Sequence, residues 1–524
     1  MLILALQCVV SLATLHNTAF QDEALYVYAG RLIVRHLMGG PAPLDHFAAY
    51  FSGYPYIYPL IGGFLDTIGG LALVRGFSLA CMLGVTTVVY FVTTRLLQLP
   101  ARSAGFRDGR PVPAAVFATA VYASTGVVLF VGGLATFDAL CLLFIALATA
   151  FSVRAGTSRG PLASLVVGPL LVLAILAKYA ALLFVFPVFG VLAFVSIAFL
   201  GWRPALVRVG MAVATFLLSA GVAYELMDKA AFHAIAGSTT NRIPGLPAPR
   251  GALFLHVLQI GGAVYFLALV GLLLLFVHRG RFRVPAALFF ASSLLVPAYH
   301  IYKREPISLD KHIAYGLFFA VPLAGYALAW LSGYVRRPSP ASHRGHWVAG
   351  LAVVLALFTL GLRQSQTLYS NWANTSDLSY ALHTQLRNGS ERIFAEDIEV
   401  ARYDAEDVTQ EWQWNSFYYP YYIDASHHHL FGNPALTEAI KNRYYALVEL
   451  SFNYFPGEAY FLAQQMAKTR NYDLIGVMPL HNSFGNGHYF LWRSSLAAGH
   501  GNFTSVAQVT TRAWFKCRLR VCQP

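Results

Sequence analysis

Long apolar runs, interrupted by short polar stretches, make up the first two-thirds of this 524-residue chain. A helix needs about 20 mostly apolar residues to cross the hydrocarbon core of a bilayer. Runs of this kind predict about eleven spanning helices, at residues 2–16, 71–94, 113–132, 138–153, 161–177, 180–200, 206–226, 253–277, 284–300, 313–333 and 347–364. The pattern therefore predicts a polytopic α-helical membrane protein.

Two segments between the first and second runs are too short or too charged to span a membrane. In "QDEALYVYAGRLIVRHL", residues 21–37, apolar side chains follow helical spacing, with Arg31 and Arg35 between them. This pattern is typical of a helix that lies in the membrane interface, and we interpret "YPYIYPLIGGFLDTIGG", residues 54–70, in the same way. The run at 2–16 has no cationic segment and no small-residue cleavage motif, so we expect a retained helix rather than a signal peptide.

The last third of the chain has a different pattern. Strand-like segments alternate with helix-like ones: "RIFAED", "YALVELSFN", "YDLIGVMPL" and "HYFLWR" against "NPALTEAIKNRY" and "GEAYFLAQQMAKTRN". We predict a small α/β domain at 365–498, after a membrane domain at 1–364. No Gly-rich phosphate loop follows a strand, so we expect no nucleotide site. Residues 499–524 are weakly patterned, and we expect a disordered tail there.

The charge of the chain is unevenly distributed. Only 12% of the residues are charged and the net charge is +13, whereas a soluble domain has about 25% charged residues. Residues 365–524 hold 12 Lys and Arg against 14 Asp and Glu, so the basic excess belongs to the membrane part. Because the excess of Lys and Arg lies in the membrane part, it does not indicate nucleic acid as a partner.

Loop charges predict the orientation of the chain. One alternating set of loops, which includes "TTRLLQLPARSAGFRDGRP" and "YVRRPSPASHRG", holds 14 Lys and Arg and a single acid, Asp108. Cytoplasmic loops carry an excess of Lys and Arg, so this set is predicted to be cytoplasmic. The N-terminus is then inside, and the α/β domain is extracytoplasmic. We expect a multi-pass protein of the plasma or inner membrane.

Four segments on the predicted outer side carry most of the candidate chemistry. They are the Asp22-Glu23 pair, "GGLATFDALCLLF", "LAILAKYAALLF" and "KREPISLDKHIAYGLFFAVPLAGYAL". A fifth segment, "YPYIYPLIGGFLDTIGGLALVRGFSLACML", follows the acidic pair and belongs to the same ordered set. Their order and predicted topology, over about residues 1–335, resemble the GT-C superfamily of membrane glycosyltransferases. The resemblance is strongest to the branch of protein O-mannosyltransferases and bacterial aminoarabinose transferases.

The resemblance implies a function in the cell envelope. The chain would be an inverting glycosyltransferase that moves mannose or a pentose from a polyprenyl-phosphate-linked donor to an extracytoplasmic hydroxyl. Its partners would be the lipid-linked donor, membrane lipid, and a glycan, lipid or protein acceptor. A glycosyl phosphate carries a good leaving group, so the weak nucleophile needs one carboxylate as a base.

Site residues follow from the same resemblance. The catalytic candidates are Asp22 as base, Glu23 and Asp138. The candidates for binding the donor phosphate are Arg75, Lys178, Lys311 and His312, which would stabilise developing negative charge. The candidates for binding acceptor or sugar are Asp45, Tyr54 and Tyr58. We expect no metal cofactor, although Asp22, Glu23 and a donor phosphate could together hold a divalent cation.

Simpler interpretations of these residues remain open. Asp22 and Asp138 are each explained equally by helix N-capping. Arg75 and Lys178 could extend to the interface, and Lys311 and His312 could meet anionic headgroups.

Two further clusters carry less weight. Consecutive histidines point in different directions, so His427–His429 do not predict a metal site. Cys517 and Cys522, near the chain end, could form a disulfide.

Two other functional classes also fit a polytopic chain. A transporter or flippase for a lipid-linked sugar would place charges near the bilayer midplane and show inverted repeats. Here the charges gather on one predicted side. A membrane-anchored glycan-binding protein would use the α/β domain alone and would not need the Asp22-Glu23 pair.

The charge pattern makes a topological prediction. Protease added to intact cells or spheroplasts should digest residues 365–524. Digestion only after lysis would contradict the predicted orientation.

Overall fold

The computed structural model describes residues 1–15, 17–103, 112–241, 247–278, 282–334, 343–386 and 389–495. The disordered tail and the Cys517–Cys522 disulfide predicted from the sequence lie outside the described residues. The chain divides into two compact units. The membrane unit contains residues 1–15, 29–39 and 45–369, and the α/β unit contains residues 16–28, 40–44 and the chain from 370 onward.

Sixteen helices lie between residues 2 and 370 in the described part of the chain. They are α1 Leu2–Thr14, α2 Gln21–Leu37, α3 Phe47–Tyr50, α4 Tyr58–Ser103, α5 Val112–Ser124, α6 Gly126–Gly133, α7 Phe137–Thr157, α8 Val167–Ala177, α9 Leu182–Leu200, α10 Trp202–Leu226, α11 Lys229–Ser238, α12 Arg250–His278, α13 Arg283–Ser293, α14 Leu295–Lys303, α15 Leu309–Leu331 and α16 His343–Ser370. Two short 3₁₀ turns, Leu162–Val166 and Tyr179–Ala181, lead into α8 and α9.

Among the described residues, eight helices are long and apolar enough to cross a membrane. The bent pair α5 and α6, which turns by 62°, makes a ninth if it counts as one span. Two further predicted spans are represented by the shorter apolar helices Leu2–Ala13 and Leu162–Ala177. The chain is an integral membrane protein, but the predicted count of eleven spans is not confirmed.

Helix α15 is the central helix of the membrane unit, and almost all of it is buried. Small residues allow its neighbours to approach closely. A Cβ at Gly325 would lie 2.3 Å from the carbonyl oxygen of Ala114 on α5. A Cβ at Gly271 on α12 would lie 2.0 Å from the carbonyl oxygen of Leu323. Side chains that α15 directs inward therefore have fixed positions.

Helix α4 contains a sharp break. Gly70 has φ of +66°, a conformation that favours glycine because it has no Cβ. The break separates the segment predicted to be interfacial from the predicted span at 71–94. The first half of α4 packs on α2, where Gly30 and Gly63 meet without room for a Cβ. Arg31 of α2 forms an ion pair with the buried Asp66.

The predicted α/β domain is confirmed as a small sheet domain. Its helices are α17 Ser376–Gln385, α18 Ile398–Asp404, α19 Gly432–Lys441 and α20 Pro456–Thr469. Its strands are β1 Ile393–Ala395, β2 Trp414–Asn415, β3 Tyr421–Ile423, β4 His429–Phe431, β5 Leu447–Leu450, β6 Tyr472–Asn482 and β7 Gly485–Ser494. The main sheet has the order β2-β1-β5-β7-β6, in which β2, β1 and β5 are parallel and β7 and β6 are antiparallel.

Residues 17–28 belong to the α/β unit through specific contacts. The Asn17 amide donates to the carbonyl of Trp372 (3.0 Å), and the Phe20 ring packs on the Trp372 ring at 5.3 Å. The Arg402 guanidinium lies 4.7 Å from the centre of the Tyr28 ring. The start of α2, with Asp22, is therefore anchored to the α/β unit.

Buried carboxyl groups surround strands β1 and β5. Glu396 accepts hydrogen bonds from five consecutive backbone N–H groups, those of residues 451–455, at 2.7–3.0 Å. These amides precede α20, so Glu396 supplies the negative charge that a helix N-terminus favours.

Other carboxyl groups have less compensation for the loss of water. Burial, together with the neighbouring carboxylates, raises the pKa of Asp397 and of Glu449 well above their usual range. Burial raises the pKa of Asp404 to about 6. Each of the three groups therefore keeps its proton to a higher pH in the folded unit than in the unfolded chain.

These shifts predict that the α/β unit loses stability as pH rises. Between about pH 4 and pH 6, unfolding releases the proton that folded Asp404 holds, so the free energy of unfolding falls across that interval. The shifted groups Asp397 and Glu449 extend the fall to higher pH. The thermal unfolding temperature of the full-length protein in detergent should decrease over this range, and Asp404→Asn should reduce the decrease. An unfolding temperature that rises with pH, or an unchanged slope in the variant, would contradict this account.

Candidate functional site

A buried carboxylate lies at the start of α7. Thr136 is the N-cap residue, and Asp138 is the second residue of the helix. The N-cap interpretation of Asp138 is therefore wrong. Its side chain is fully buried, and its Oδ2 accepts a hydrogen bond from the Thr136 hydroxyl at 3.2 Å. A buried carboxylate requires a compensating positive charge.

Lys178 supplies that charge from a break between two helices. It has extended backbone geometry after α8 ends at Ala177, and its carbonyl accepts from the Cys141 thiol. Its Nζ lies 2.7 Å from Asp138 Oδ1, and the residue is 4% exposed. Interfacial extension of Lys178 is therefore not observed. In the sequence, the only local feature that indicates a function for Lys178 is its position between two apolar runs.

Residues 52–54 hold this helix break in place. The N–H of Tyr54 donates to the carbonyl of Leu176 (2.7 Å), and the N–H of Tyr179 donates to the carbonyl of Ser52 (2.8 Å). A Cβ at Gly53 would lie 2.3 Å from the carbonyl oxygen of Ala177. Only glycine allows the two backbones to approach this closely.

Helix α15 presents three further polar side chains to Asp138. The Tyr315 hydroxyl lies within hydrogen-bond distance of Asp138 Oδ1 (3.1 Å) and of its carbonyl oxygen (3.2 Å). His312 Nε2 lies 3.8 Å from Asp138 Oδ1. Lys311 is 5% exposed and adds a second nearby positive charge. We call Asp138, Lys178, Lys311, His312 and Tyr315 the Asp138 cluster.

Two functional candidates were missed by the sequence analysis. His300 on α14 forms a 2.9 Å hydrogen bond through Nε2 to His312 Nδ1, and its Nδ1 bonds the Glu305 carbonyl at 2.6 Å. Tyr315 could have been found, because it lies four residues after Lys311 on one helix face. His300 lies on another helix, and nothing in its local sequence pairs it with His312.

A cavity of ≈ 390 Å³ opens beside the Asp138 cluster. His300, His312, Lys303 and Glu305 contribute polar groups to its wall. Most of the remaining wall is aromatic or aliphatic, including Tyr179, Phe184, Val296, Tyr299 and Tyr315. An apolar cavity with a few convergent polar groups is the usual form of a ligand site.

The charges of the Asp138 cluster favour an anion. With both histidines neutral, two ammonium groups face one carboxylate, which leaves one positive charge in excess. Charge-assisted contacts from such groups are among the stronger interactions available to phosphate. The structure thus brings together Lys178, Lys311 and His312, three of the predicted phosphate-binding residues, with Asp138.

The other predicted residues of the membrane unit have the following surroundings. Arg75 and Asp45 are half-buried. The Tyr54 hydroxyl donates to the carbonyl of Leu226 (3.3 Å). The Tyr58 ring is fully buried against Phe137, and its hydroxyl lies 3.4 Å from the Ser78 hydroxyl. Tyr58 therefore supports the residue that precedes Asp138.

The Asp22-Glu23 pair belongs to the α/β unit. Helix α2 begins at Gln21, so Asp22 lies within its first turn and is not the N-cap residue. Glu23 is fully buried, and its Oε2 accepts from the N–H of Phe20 (2.8 Å), as in one half of a capping box. Glu23 therefore contributes a cap contact to the helix, and Asp22 beside it is half-exposed.

No metal site is apparent among the described residues, since no group of three His, Cys, Asp or Glu side chains converges on one point. His428 bonds Asp424 and His429 bonds the Tyr421 hydroxyl. These histidines are engaged in separate surface contacts.

No family model and no curated protein matches the sequence. Solved structures do match the fold. ArnT from Cupriavidus metallidurans, an aminoarabinose transferase, superposes with a TM-score of 0.59 at 13% identity over 95% of this chain and 98% of that one. Its structure bound to undecaprenyl phosphate gives 0.57 at 13% identity over 95% and 99%. The archaeal oligosaccharyltransferase AglB from Archaeoglobus fulgidus, in complex with an inhibitory peptide and a dolichol-phosphate, gives 0.51 at 12% identity over 95% and 74%.

This chain has the GT-C fold. The structural neighbours are GT-C glycosyltransferases, as the sequence resemblance predicted. At this level of identity the likeness shows the GT-C fold alone, and function must be argued from the site.

The buried ion pair can be tested by a double-mutant cycle. Asp138→Asn alone leaves the buried ammonium groups without their carboxylate, and Lys178→Gln alone removes the hydrogen-bonded cation of Asp138; breaking a buried pair from one side typically costs about 3–5 kcal/mol. The double variant should recover much of that loss in denaturant unfolding of the full-length protein. The control is Glu438→Gln, which removes a partner from the exposed Glu438–Lys441 pair and should cost about 0–1 kcal/mol. Single variants no less stable than this control would show that the pair contributes little.

Proposed function

We propose that this protein is an inverting glycosyltransferase that uses a polyprenyl-phosphate-linked sugar. The observation that carries the proposal is the Asp138 cluster. Buried Lys178 pairs with buried Asp138, and buried Lys311 adds a second positive charge nearby. His312 and Tyr315 of the same cluster line an apolar cavity, within the GT-C fold. A lipid-linked sugar phosphate combines an anionic head with an apolar tail, and this site offers both environments.

The lipids bound to the structural neighbours support this class of donor. ArnT was solved with undecaprenyl phosphate and AglB with a dolichol-phosphate. We extend polyprenyl phosphate to this chain as a proposal, because the Asp138 cluster has the charge to hold it. Arg75 is retained as a further candidate phosphate ligand. The proposed sugar is mannose or a pentose, and the acceptor is a glycan, lipid or protein.

The chemistry is a single displacement at the anomeric carbon. The acceptor oxygen forms a bond to that carbon, and the bond from carbon to the phosphate oxygen breaks. The bonding electrons remain on the phosphate, so Lys178 and Lys311 would stabilise charge that grows in the transition state. Asp138 keeps these ammonium groups in place and does not need to exchange a proton.

Asp22 is the proposed base that accepts the proton of the acceptor hydroxyl. It is half-exposed, and Glu23 beside it contributes a cap contact to the helix. Asp45, Tyr54 and Tyr58 remain candidates for binding acceptor or sugar, and transfer is proposed on the extracytoplasmic side. No metal is required by this mechanism.

Transfer of labelled sugar from a polyprenyl-phosphate donor by the purified full-length protein tests the proposal. Asp22→Asn should reduce the rate about 10²–10⁴-fold, because a general base typically contributes that much. Glu23→Gln should cost less, since glutamine retains an oxygen that accepts from Phe20.

The matched control is Asp377→Asn. Asp377 is the second residue of α17, as Asp22 is of α2, and it is exposed. Its substitution should leave the transfer rate unchanged. If Asp22→Asn protein folds and transfers at the control rate, Asp22 is not the base. If the wild-type protein neither binds nor turns over any polyprenyl-phosphate sugar, the proposed function is wrong.

A further inference from the structure

The His300–His312 pair has a fixed direction of hydrogen bonding. A carbonyl oxygen can only accept, so His300 Nδ1 donates its proton to the Glu305 carbonyl. If His300 is neutral, its Nε2 is then an acceptor, and His312 Nδ1 must donate to it across 2.9 Å. If His312 is neutral as well, its Nε2 carries a lone pair and no proton. The tautomers of both rings are thus set by one backbone carbonyl.

That lone pair faces a carboxylate. His312 Nε2 is buried, lies 3.8 Å from Asp138 Oδ1, and has no hydrogen-bond partner among the described residues. Two acceptors that face each other without water repel. One extra proton on the pair removes the conflict, because Nε2–H then points toward the carboxylate. The same result follows if the extra charge formally sits on His300, since its Nε2–H would donate to His312 Nδ1.

The groups around His312 decide when that proton is held. Burial opposes it most strongly, and Lys178 before α9, His300 on α14 and Lys311 on α15 oppose it when charged, whereas Asp138 on α7 favours it. Tyr315 contributes a neutral hydroxyl, and Lys303 and Glu305 lie in the wall of the same cavity. With neutral histidines the Asp138 cluster has one excess positive charge. With one extra proton it has two.

The donor and product phosphates of the proposed reaction also differ by about one unit of charge. A sugar–phosphate–lipid donor is a phosphodiester with one negative charge. After the bond from the anomeric carbon to phosphate oxygen breaks, the phosphate monoester holds nearly two negative charges near neutral pH. The acceptor hydroxyl loses its proton to the base. The overall reaction therefore releases one proton while the phosphate gains one negative charge, so charge is balanced.

We propose that the His300–His312 pair takes up one proton when the lipid phosphate monoester occupies the site, so that the charge of the site matches the product. This inference rests on the proposed function. The proton comes from solvent and returns to solvent when the monoester leaves. His312 is the group that gains the proton, and His300 is a positioning residue that fixes its tautomer. Product affinity then depends on pH, while donor affinity does not.

Calorimetry on the full-length protein in detergent tests this inference. Undecaprenyl phosphate is titrated in buffers with different ionisation enthalpies, which yields the number of protons taken up per bound lipid. The ³¹P resonance of the bound lipid reports the ionisation of the phosphate itself, and this contribution is subtracted. Wild-type protein should take up about one proton more than His312→Gln. Its Kd for the monoester should rise with pH by up to about tenfold per unit.

The control variant is His383→Gln. His383 pairs with Asp407 (2.8 Å) in the α/β unit and does not line the cavity. It should show wild-type uptake. A sugar–phosphodiester lipid should bind wild-type protein without the additional proton, and this comparison stands even if His312→Gln fails to fold.

The results of these titrations distinguish failure of the inference from failure of the proposed function. Equal uptake by wild type and His312→Gln, or equal uptake with monoester and phosphodiester, overturns the inference and leaves the proposed function standing. Wild-type protein that binds neither phosphate ester overturns the proposed function, and the inference with it.

Discussion

The contact between Asp138 and Lys178 is the constraint on which the membrane unit depends. Transferring a carboxylate and an ammonium out of water costs several kcal/mol for each ion, even after relaxation. That cost is offset only if the two groups are held close and their remaining hydrogen-bonding capacity is used. The observed 2.7 Å contact, with Thr136 and Tyr315 on the same carboxylate, meets this condition. Changes that move α7, α15 or the break before α9 would leave a charge without its partner.

The irregular backbone around this contact follows from the same requirement. A lysine inside a continuous apolar helix would present its ammonium to lipid or to apolar side chains. The end of α8 at Ala177 places Lys178 in extended geometry, and residues 52–54 bond the exposed backbone groups on both sides of the break. Non-helical backbone at such depth is tolerated where protein surrounds it. The close approach at Gly53 supplies that protein surface.

The α/β unit also contains buried carboxyl groups, but it stabilises them in a different way. Glu396 has five backbone N–H donors and needs no cation. Asp397 and Glu449 lie close to it without equivalent donors, and burial raises the pKa of each. The membrane unit therefore neutralises buried acid with lysine, whereas the α/β unit uses backbone amides and protonation. In the membrane unit, the Asp138 cluster therefore retains a net positive charge beside a cavity. This charge is the basis of the proposed phosphate site.

The sequence by itself determined the class of the molecule. Apolar runs, loop charges and alternating strand patterns are local properties, so the membrane helices, the α/β unit and most element positions could be predicted from them. The order of the acidic and basic segments resembles that of the GT-C superfamily, and this resemblance predicted the fold. Several candidate residues, including Lys178, Lys311 and His312, were chosen on that basis.

Only the tertiary structure decided which charges meet and in what protonation pattern. Asp138 and Lys178 are 40 residues apart, and Asp138 and Tyr315 are 177 apart. Their contact depends on helix register and on the break after Ala177, neither of which periodicity specifies. Helix α2 begins at Gln21, as the pattern predicted, but only the folded structure shows that Glu23 accepts from the N–H of Phe20. The Glu305 carbonyl, which can only accept, sets the direction of the hydrogen bonds of neutral His300 and His312. These contacts exist only once the helices pack.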